Sequence, residues 1–331
     1  AIDPNVSHIR VTLYRVANQS HVIKSLITAL HNGKDVTVFI EIRARFDEEA
    51  NLDWATKLRD AGAKVIQGIS GLKVHSKLCL ITRREKGAKV YYACIGTGNL
   101  HEKTARIYTD AMLLTCNQTL TKEARLLFSF FDKNYSVPKF NHLLVAPFNL
   151  RSKLKTLINK EIKNAKAGKK AEIILKLNNL VDEDVIEKLY VAGKAGVKIK
   201  LIVRGINSII PQISGFSDNI EAISIVDKFL EHTRIFSFYN DGKPQVFIGS
   251  GDLMTRNLDF RIEVITPIFD EKIKKQLLKI LELQWSDTVK ARLYNDIQNN
   301  PFRKMPLNEK PIRSQDAIYD FWKDFSVKKK R

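Results

Sequence analysis

The sequence has 331 residues, which is enough for about two domains of typical size. Its 44% hydrophobic and 27% charged residues are typical of a globular protein, and no run approaches the ~18 consecutive apolar residues of a membrane span. Lysine and arginine total 55 against 36 aspartates and glutamates, so the formal charge is +19. Such a field concentrates polyanions, which predicts a nucleic acid, an acidic membrane surface or a polyphosphate as partner.

The cysteines and the start of the chain indicate its compartment. Cys79, Cys94 and Cys116 are odd in number and have no Cys-x-x-Cys spacing, so we interpret them as buried thiols in a reducing cytoplasm. The charge leaves peripheral membrane association open, but no amphipathic anchor supports it. Residues 1–16 have no signal-peptide pattern and enter a strand within about nine residues. We therefore expect a fragment that lacks upstream domains.

The first part of the chain alternates between strand and helix patterns. We predict strands at 9–16, 36–42 and 64–68, with helices at 20–33 and 48–62 between them. Three further strands, at 77–82, 90–96 and 110–115, precede a helix at 119–132. This order predicts a βαβαβ unit that continues into a meander.

The second part repeats that order. Predicted strands lie at 142–147, 171–177, 197–203, 222–226, 233–239, 245–250 and 262–267. Predicted helices lie at 150–167, 182–195 and 270–283, and the tail from residue 292 is polar with a partial helix at 314–325. We therefore predict an α/β protein with two tandem domains, 1–138 and 139–331, each a mixed β-sheet flanked by helices.

A histidine followed two residues later by a cation occurs once in each half. The first half has His75 and Lys77, and the second has His232 and Arg234. Side chains two apart on a strand share a face, so each pair could hold a phosphoryl group. A single such pair is usually accidental, but its duplication favours a function.

A glycine-rich strand end and an acid follow each pair at matching distances. IGTGN ends at Asn99 and IGSGD at Asp252, and in each half an acid, Asp110 or Glu263, stands 14 residues after the first glycine. The small residues would let phosphate oxygens approach backbone and hydroxyl donors. The acids could be structural, but their equivalent positions favour orienting the two histidines through one imidazole nitrogen.

Several motifs resemble one known family. GLKVHSKL, IGTGNLHEKTARIYTD, EIRARFDEEANLDWA, DKFLEHTRIF and MTRNLDFRIEV are similar to the C-terminal catalytic half of bacterial polyphosphate kinases of the phosphohistidine type. The resemblance extends from Arg10 to about Tyr294. It implies two domains of phospholipase D-like fold, together with upstream N-terminal and head domains that contribute to nucleotide binding and to a homo-oligomer.

The resemblance also implies the activity and several residue roles. The activity is reversible transfer of the ATP γ-phosphate to inorganic polyphosphate through a phosphohistidine. His75 resembles the phosphorylated histidine and His232 the second histidine, which contacts ATP. Tyr108 and Arg204 resemble other nucleotide-binding residues. Asn99, at the end of IGTGN, joins this predicted nucleotide set.

Arg15 and Arg45 match the two arginines that the family has beside Mg²⁺. Arginine has no lone pair for a metal, so we interpret both as binding phosphate oxygens of the magnesium nucleotide. Their positions after apolar strands agree with this, because ligands of α/β proteins bind at strand ends.

The sequence leaves two alternatives to the kinase interpretation open. The phospholipase D signature has an aspartate seven residues after each histidine, where this chain has Thr82 and Tyr239, which weakens a phosphodiesterase or nuclease interpretation. A non-catalytic module that binds polyanions would explain the charge alone. Specific nucleic-acid binding is less well supported, because the sequence has no aromatic strand motif for base stacking and no zinc-finger spacing.

Overall fold

The computed structural model describes residues 1–42, 48–305 and 307–328, and the predicted α/β class with helix-flanked mixed sheets is confirmed. The chain divides into two compact units. The first contains Ala1–Arg151, Ile248–Gly251 and Thr255–Thr266, and the second contains the rest. The domain boundary predicted at 138/139 stays a prediction about the sequence repeat. No helix within the described ranges is long and apolar enough to cross a membrane.

The first 146 residues alternate strands and helices in the predicted order. The strands are β1 (Val6–Leu13), β2 (Asp35–Ile40), β3 (Lys64–Gln67), β4 (Lys73–Val74), β5 (Lys77–Glu85), β6 (Ala88–Gly96), β7 (Tyr108–Thr109), β8 (Met112–Thr115) and β9 (Leu144–Ala146). The helices are α1 (His21–His31), α2 (Glu48–Asp60) and α3 (Gln118–Asp132), with a short 3₁₀ turn at Thr104–Arg106.

The remaining residues form a second series of elements. Its strands are β10 (Glu172–Leu177), β11 (Lys198–Val203), β12 (Ile220–Ile225), β13 (Leu230–Glu231), β14 (Ile235–Phe238), β15 (Gln245–Gly249), β16 (Arg261–Pro267) and β17 (Ala291–Tyr294). Its helices are α4 (Leu150–Lys166), α5 (Glu183–Lys194), α6 (Thr255–Asp259), α7 (Glu271–Trp285) and α8 (Ser314–Lys328).

The sheets of the two units share one topology, which confirms the repeat. In the first unit the strand order is β3-β2-β1-β5-β6-β8, with β1, β2 and β3 parallel and β5 antiparallel to β1. In the second unit the order β12-β11-β10-β14-β15 corresponds to β3-β2-β1-β5-β6, with β10, β11 and β12 parallel and β14 antiparallel to β10. An additional strand, β17, pairs with the outer side of β12. The strand that follows each histidine, β5 or β14, therefore lies beside the first strand of its unit.

One hydrophobic core of the first unit lies between its sheet and helices α1 and α2, and α3 also packs against the sheet. Ser20 caps α1 by accepting a hydrogen bond from the backbone N–H of Ile23. Ile23 and Leu26 are three residues apart on one helical face, and both are buried against β1 and β2. The alternation of β1 places Val11 and Leu13 in the same core. This packing fixes β1, which carries the neighbours of the first histidine.

Three details differ from the sequence predictions. Residues 292–294, predicted to belong to a polar tail, form with Ala291 the strand β17, antiparallel to β12, in which Ala291 is buried and Leu293 is half-buried. Helix α6 was not predicted, since its five residues are too short for a periodic pattern. Cys79 and Cys94 are half-buried, but Cys116 is exposed, so the prediction of three buried thiols is wrong for that residue.

The two equivalent glycines that end β6 and β15 differ in how closely they are packed. A Cβ on Gly249 would lie 2.3 Å from the carbonyl oxygen of Val264 and 2.6 Å from the Cα of Ile265. A Cβ on Gly96 would meet first the flexible end of Met112, at 3.2 Å. Backbone atoms cannot move aside as a methionine side chain can.

We therefore predict that Gly249→Ala destabilises the protein by about 1–3 kcal/mol, and Gly96→Ala by clearly less. The free energies of unfolding from urea titrations measure both. Equal values for the two variants would contradict the close approach of the backbones at Gly249.

Candidate active site

His75 lies in the short connection between β4 and β5, in the first unit. Its backbone N–H donates to the carbonyl of Ile262 at 3.0 Å, and β4 pairs in parallel with β16 through Val74 and Ile262. The side chain is 12% exposed. The histidine is therefore held by a strand that comes from the distant second half of the sequence.

The Nδ1 atom of His75 contacts the carboxylate of Glu263. It lies 2.9 Å from Oε1 and 3.0 Å from Oε2, and the glutamate is fully buried. Ser250 Oγ donates to Oε2 at 2.5 Å, and Asn257 Nδ2 donates to Oε1 at 2.7 Å. Both carboxylate oxygens are thus fixed, and they accept a hydrogen bond from the imidazole. Among the described residues, none forms a hydrogen bond with His75 Nε2.

Burial sets the charge of this pair. It lowers the pKa of His75 to about 3, against the opposing effect of the nearby Glu263 carboxylate. Burial alone would raise the pKa of Glu263, but His75, Lys77 and Ser250 outweigh it and the net shift is downward. The site therefore combines a neutral imidazole with an ionised carboxylate at neutral pH. Nδ1 carries the proton, and Nε2 keeps its lone pair.

Tyr14 and Lys77 complete the surroundings of His75. The Tyr14 ring packs edge-to-face against the imidazole, with 4.7 Å between the ring centroids. The Lys77 ammonium lies 5.2 Å from the centroid of the Tyr14 ring and donates to the backbone carbonyl of His75. Lys77 is buried, and this hydrogen bond ties its ammonium to the main chain of His75.

The second unit holds its histidine in a related way. Arg234 donates from one Nη atom to the backbone carbonyl of His232 at 3.0 Å, as Lys77 does for His75. The same nitrogen lies 3.1 Å from His232 Nε2, and because guanidinium only donates, that ring nitrogen accepts. The other guanidinium nitrogens, Nε and Nη2, bond to Asp252 at 3.2 and 3.1 Å. Asp252 is therefore the partner of Arg234.

The two repeated acids have the same local partner. Thr97 Oγ1 donates to Asp110 at 2.5 Å, as Ser250 does to Glu263. The backbone N–H after each acid donates back to that hydroxyl. The Asp110 carboxylate occupies the place beside Gly98 that a side chain would take, since a Cβ on Gly98 would lie 2.0 Å from it. The approach of phosphate oxygens to these glycine-rich strand ends stays a prediction.

The predicted nucleotide residues are divided between the units. In the first unit, Asn99, Tyr108 and Asp110 line one cavity of about 380 Å³ with several apolar side chains. In the second unit, Arg204 follows β11 and donates through Nε to Asn178 Oδ1 at 2.5 Å. The Asn99 Oδ1 atom is buried and has no hydrogen-bond partner within the described ranges.

Of the two predicted phosphate-binding arginines of the first half, Arg15 lies among the described residues. Arg15 is half-buried and is the second residue after the end of β1, next to Tyr14. Arg45 lies outside the described residues. The predicted strand-end position therefore applies to Arg15.

Several residues of the site were missed at the sequence level. The sequence predicts the Ser250 hydroxyl, in the middle of IGSGD, as a donor to phosphate and not as a partner of Glu263, and Asn257 lies in the unpredicted helix α6. Tyr14 and Asn178 occupy equivalent places in the two halves, because the registers of β1 with β5 and of β10 with β14 match. Their residue types differ, so the sequence repeat does not indicate that they are equivalent.

Comparison with known proteins identifies the family. A family model described as polyphosphate kinase C-terminal domain 1 matches residues 1–137, and one described as C-terminal domain 2 matches residues 143–315. The chain belongs to the polyphosphate kinase family. Polyphosphate kinases of Vibrio vulnificus strain YJ016 and Escherichia coli K12 are 54% and 49% identical to it over 324 residues, or 98% of this chain.

A solved structure supports the same assignment. The crystal structure of polyphosphate kinase from Porphyromonas gingivalis matches 99% of this chain with a TM-score of 0.92 and 41% identity. The chain covers 50% of that protein, and 46% and 47% of the Vibrio and Escherichia relatives. It therefore spans about half the length of the polyphosphate kinases that it matches.

The His75–Glu263 contact predicts a single imidazole tautomer. We expect His75 to be neutral, with the proton on Nδ1, between about pH 5 and pH 8, because burial lowers its pKa to about 3. Two-bond ¹H–¹⁵N correlation spectra of the ring measure this directly. Glu263→Gln is expected to mix the tautomers, whereas the exposed Glu282→Gln leaves them unchanged. An imidazolium signal for His75 at pH 7 would contradict the assignment.

Proposed function

We propose that this chain is the catalytic region of an ATP:polyphosphate phosphotransferase that works through a phosphohistidine on His75. The observation that carries the proposal is the geometry of the imidazole, with Nδ1 on a buried carboxylate and Nε2 without a hydrogen-bond partner among the described residues. A neutral imidazole held in one tautomer is a nucleophile that needs no further activation. The family assignment indicates which group it attacks.

In the first step, His75 Nε2 attacks the γ-phosphorus of ATP. The N–P bond forms while the bond from phosphorus to the bridging oxygen breaks, and ADP leaves with those electrons. The proton on Nδ1 stays in place, and Glu263 balances the positive charge that develops on the ring. The loose transition state of phosphoryl transfer gains most from fixed positions and nearby cations.

In the second step, a terminal oxygen of polyphosphate attacks the phosphorus and the N–P bond breaks. The electron pair returns to Nε2, so the site is regenerated. A phosphoanhydride is exchanged for another, which makes the reaction reversible. His232 and Arg234 are proposed to balance charge during transfer. His232 is the weaker nucleophile, because its Nε2 lone pair accepts from the Arg234 guanidinium.

Phosphate and nucleotide contacts are proposed for the remaining predicted residues. Arg15, Arg45 and Arg204 would bind phosphate oxygens through their guanidinium forks. Tyr108 and Asn99 would contact the nucleotide, and their shared cavity and the unpartnered Asn99 oxygen support this.

Magnesium is proposed to arrive with the nucleotide. The described residues contain no cluster of three or more histidine, cysteine or acidic side chains suited to a metal. Arginine cannot be a metal ligand, so Arg15 does not fit direct coordination of Mg²⁺. The substrate phosphates are therefore its proposed ligands.

The partners and location follow from the same proposal. The polyphosphate kinases that the chain matches are about twice as long, so we propose that N-terminal and head domains of one polypeptide act with this region in a homo-oligomer. The +19 charge suits inorganic polyphosphate as substrate, without specific nucleic-acid binding. The free cysteines and the use of ATP suit the cytoplasm.

Phosphorylation by γ-labelled ATP and magnesium tests the nucleophile. Acid-labile, base-stable label is expected on the peptide that contains His75. His75→Gln should abolish it, because glutamine has no nucleophilic nitrogen. The labelled peptide is identified by mass spectrometry at alkaline pH.

Two comparisons make that experiment decisive. His142→Gln is the matched control, because this histidine also contacts a glutamate, Glu123, at 3.0 Å but lies outside the proposed site. Its label should equal that of the wild type. If the peptide containing His232 carries the stable label instead, the roles of the two histidines are reversed.

The guanidinium fork of Arg204 gives a second prediction. Arg204→Lys keeps the charge but loses the hydrogen bond to Asn178 and the paired donors, so we expect the KM for ATP to rise about tenfold. Steady-state kinetics at fixed polyphosphate measure the change. The exposed Arg59→Lys on α2 is the control, and an unchanged KM in Arg204→Lys would remove the support for this contact.

A further inference from the structure

We propose that Lys176, a buried residue on β10, is a positioning residue for His232, and that it acts by binding both of the residues that flank this histidine in the chain. The kinetic part of this inference rests on the proposed function. The structural part does not, because it concerns the geometry of one loop in the second unit.

One ammonium group binds on both sides of His232. Lys176 Nζ lies 3.1 Å from the Glu231 carboxylate and donates to the backbone carbonyl of Thr233 at 3.1 Å. The residues before and after His232 therefore both bind the same buried ammonium group. Because the Glu231 side chain and the Thr233 carbonyl are both held by Lys176, the main chain of His232 between them has little freedom to shift.

The ion pair is enclosed and its hydrogen bonds are extensive. Lys176 is 2% exposed and Glu231 is 3% exposed. Gln284 on α7 donates to one Glu231 oxygen at 2.6 Å, and Gln315 on α8 donates to the other at 2.8 Å. Removing either charge would leave its partner buried and unpaired, which is strongly unfavourable. The contact is therefore closed to solvent and maintained in one geometry.

The start of α8 holds the same loop from outside. The Gln315 amide exchanges two hydrogen bonds with the backbone of Phe229, at 2.8 and 3.0 Å. Arg313 makes two hydrogen bonds to the carboxylate of Asp227, at 2.9 and 2.6 Å. The segment before His232 is thus held at every second residue, by contacts to residues 227, 229 and 231.

The first unit shows that the fold itself does not need a charge here. Strand registers make Thr12 the equivalent of Lys176. The Thr12 hydroxyl donates to the carbonyl of Ser76, the residue after His75, at 2.8 Å, and accepts from the N–H of Leu78. A neutral hydroxyl is sufficient where Glu263 already holds the imidazole. The buried ion pair is specific to the second histidine, which indicates a positional role there.

The test uses three variants of the full 331-residue chain. Lys176→Met removes the ammonium from beside the buried Glu231 carboxylate. Lys176→Met combined with Glu231→Gln removes both charges, so no buried charge remains without a partner. Lys200→Met is the matched control, because Lys200 lies on the neighbouring strand and pairs with Glu172 at 3.5 Å, away from the His232 loop.

Two measurements separate position from stability. We expect Lys176→Met to lower the Tm, and the double variant to recover most of that loss. In both, the ¹⁵N ring signals of His232 should shift or broaden, and kcat should fall by about 10- to 100-fold with the KM for ATP changed less than about twofold. If Lys176 had only a structural role, the double variant would recover the wild-type kcat as well as the Tm. Lys200→Met should change neither His232 nor kcat.

Unchanged His232 ring signals in both Lys176 variants would overturn the proposal, as would a double variant that regains wild-type kcat. The His232 signals, assigned by their loss in His232→Gln, decide the positioning role without any assay of transfer. The proposed function fails if no phosphate is transferred and no phosphohistidine forms even when the chain is joined to the N-terminal and head domains proposed above. The His232 spectra do not depend on that outcome.

Discussion

The site depends on one buried contact, between the His75 imidazole and the Glu263 carboxylate. The two residues are 188 positions apart, and only the parallel pairing of β4 with β16 brings them together. Burial of a carboxylate is unfavourable unless its oxygens are bonded, and Ser250 and Asn257 meet that requirement. The same burial keeps the imidazole neutral. One constraint therefore fixes the tautomer, the charge and the orientation of the proposed nucleophile.

The two halves of the chain hold their histidines through different side-chain contacts. In each, a cation two residues after the histidine donates to that histidine's own carbonyl. The first half adds a carboxylate on the ring, whereas the second adds a guanidinium on Nε2 and a buried ion pair behind the loop. The duplicated fold supplies equivalent positions, which carry different residues in the two halves. As a result Nδ1 of His75 is bonded to Glu263, whereas Nε2 of His232 is bonded to Arg234.

Much of the fold could be predicted from the sequence, because its strands and helices have clear periodicity and the order of elements repeats. The strands around His75 and His232 were predicted from apolar runs, and the repeated spacing from glycine to acid identified Glu263. The short elements β4, β13 and α6 could not be predicted, since two to five residues are too few for a pattern. The strand β17 was missed because its alternation lies among polar residues.

By itself the sequence determined the local structure, the duplication and the candidate residues, since these depend on residue type and spacing along the chain. Only the tertiary structure decided which acid pairs with His75, that the space beside Gly98 is filled by Asp110, and that Lys176 binds both neighbours of His232. These are contacts between residues distant in sequence. Their geometry follows from strand register and packing, which no local pattern of side chains encodes.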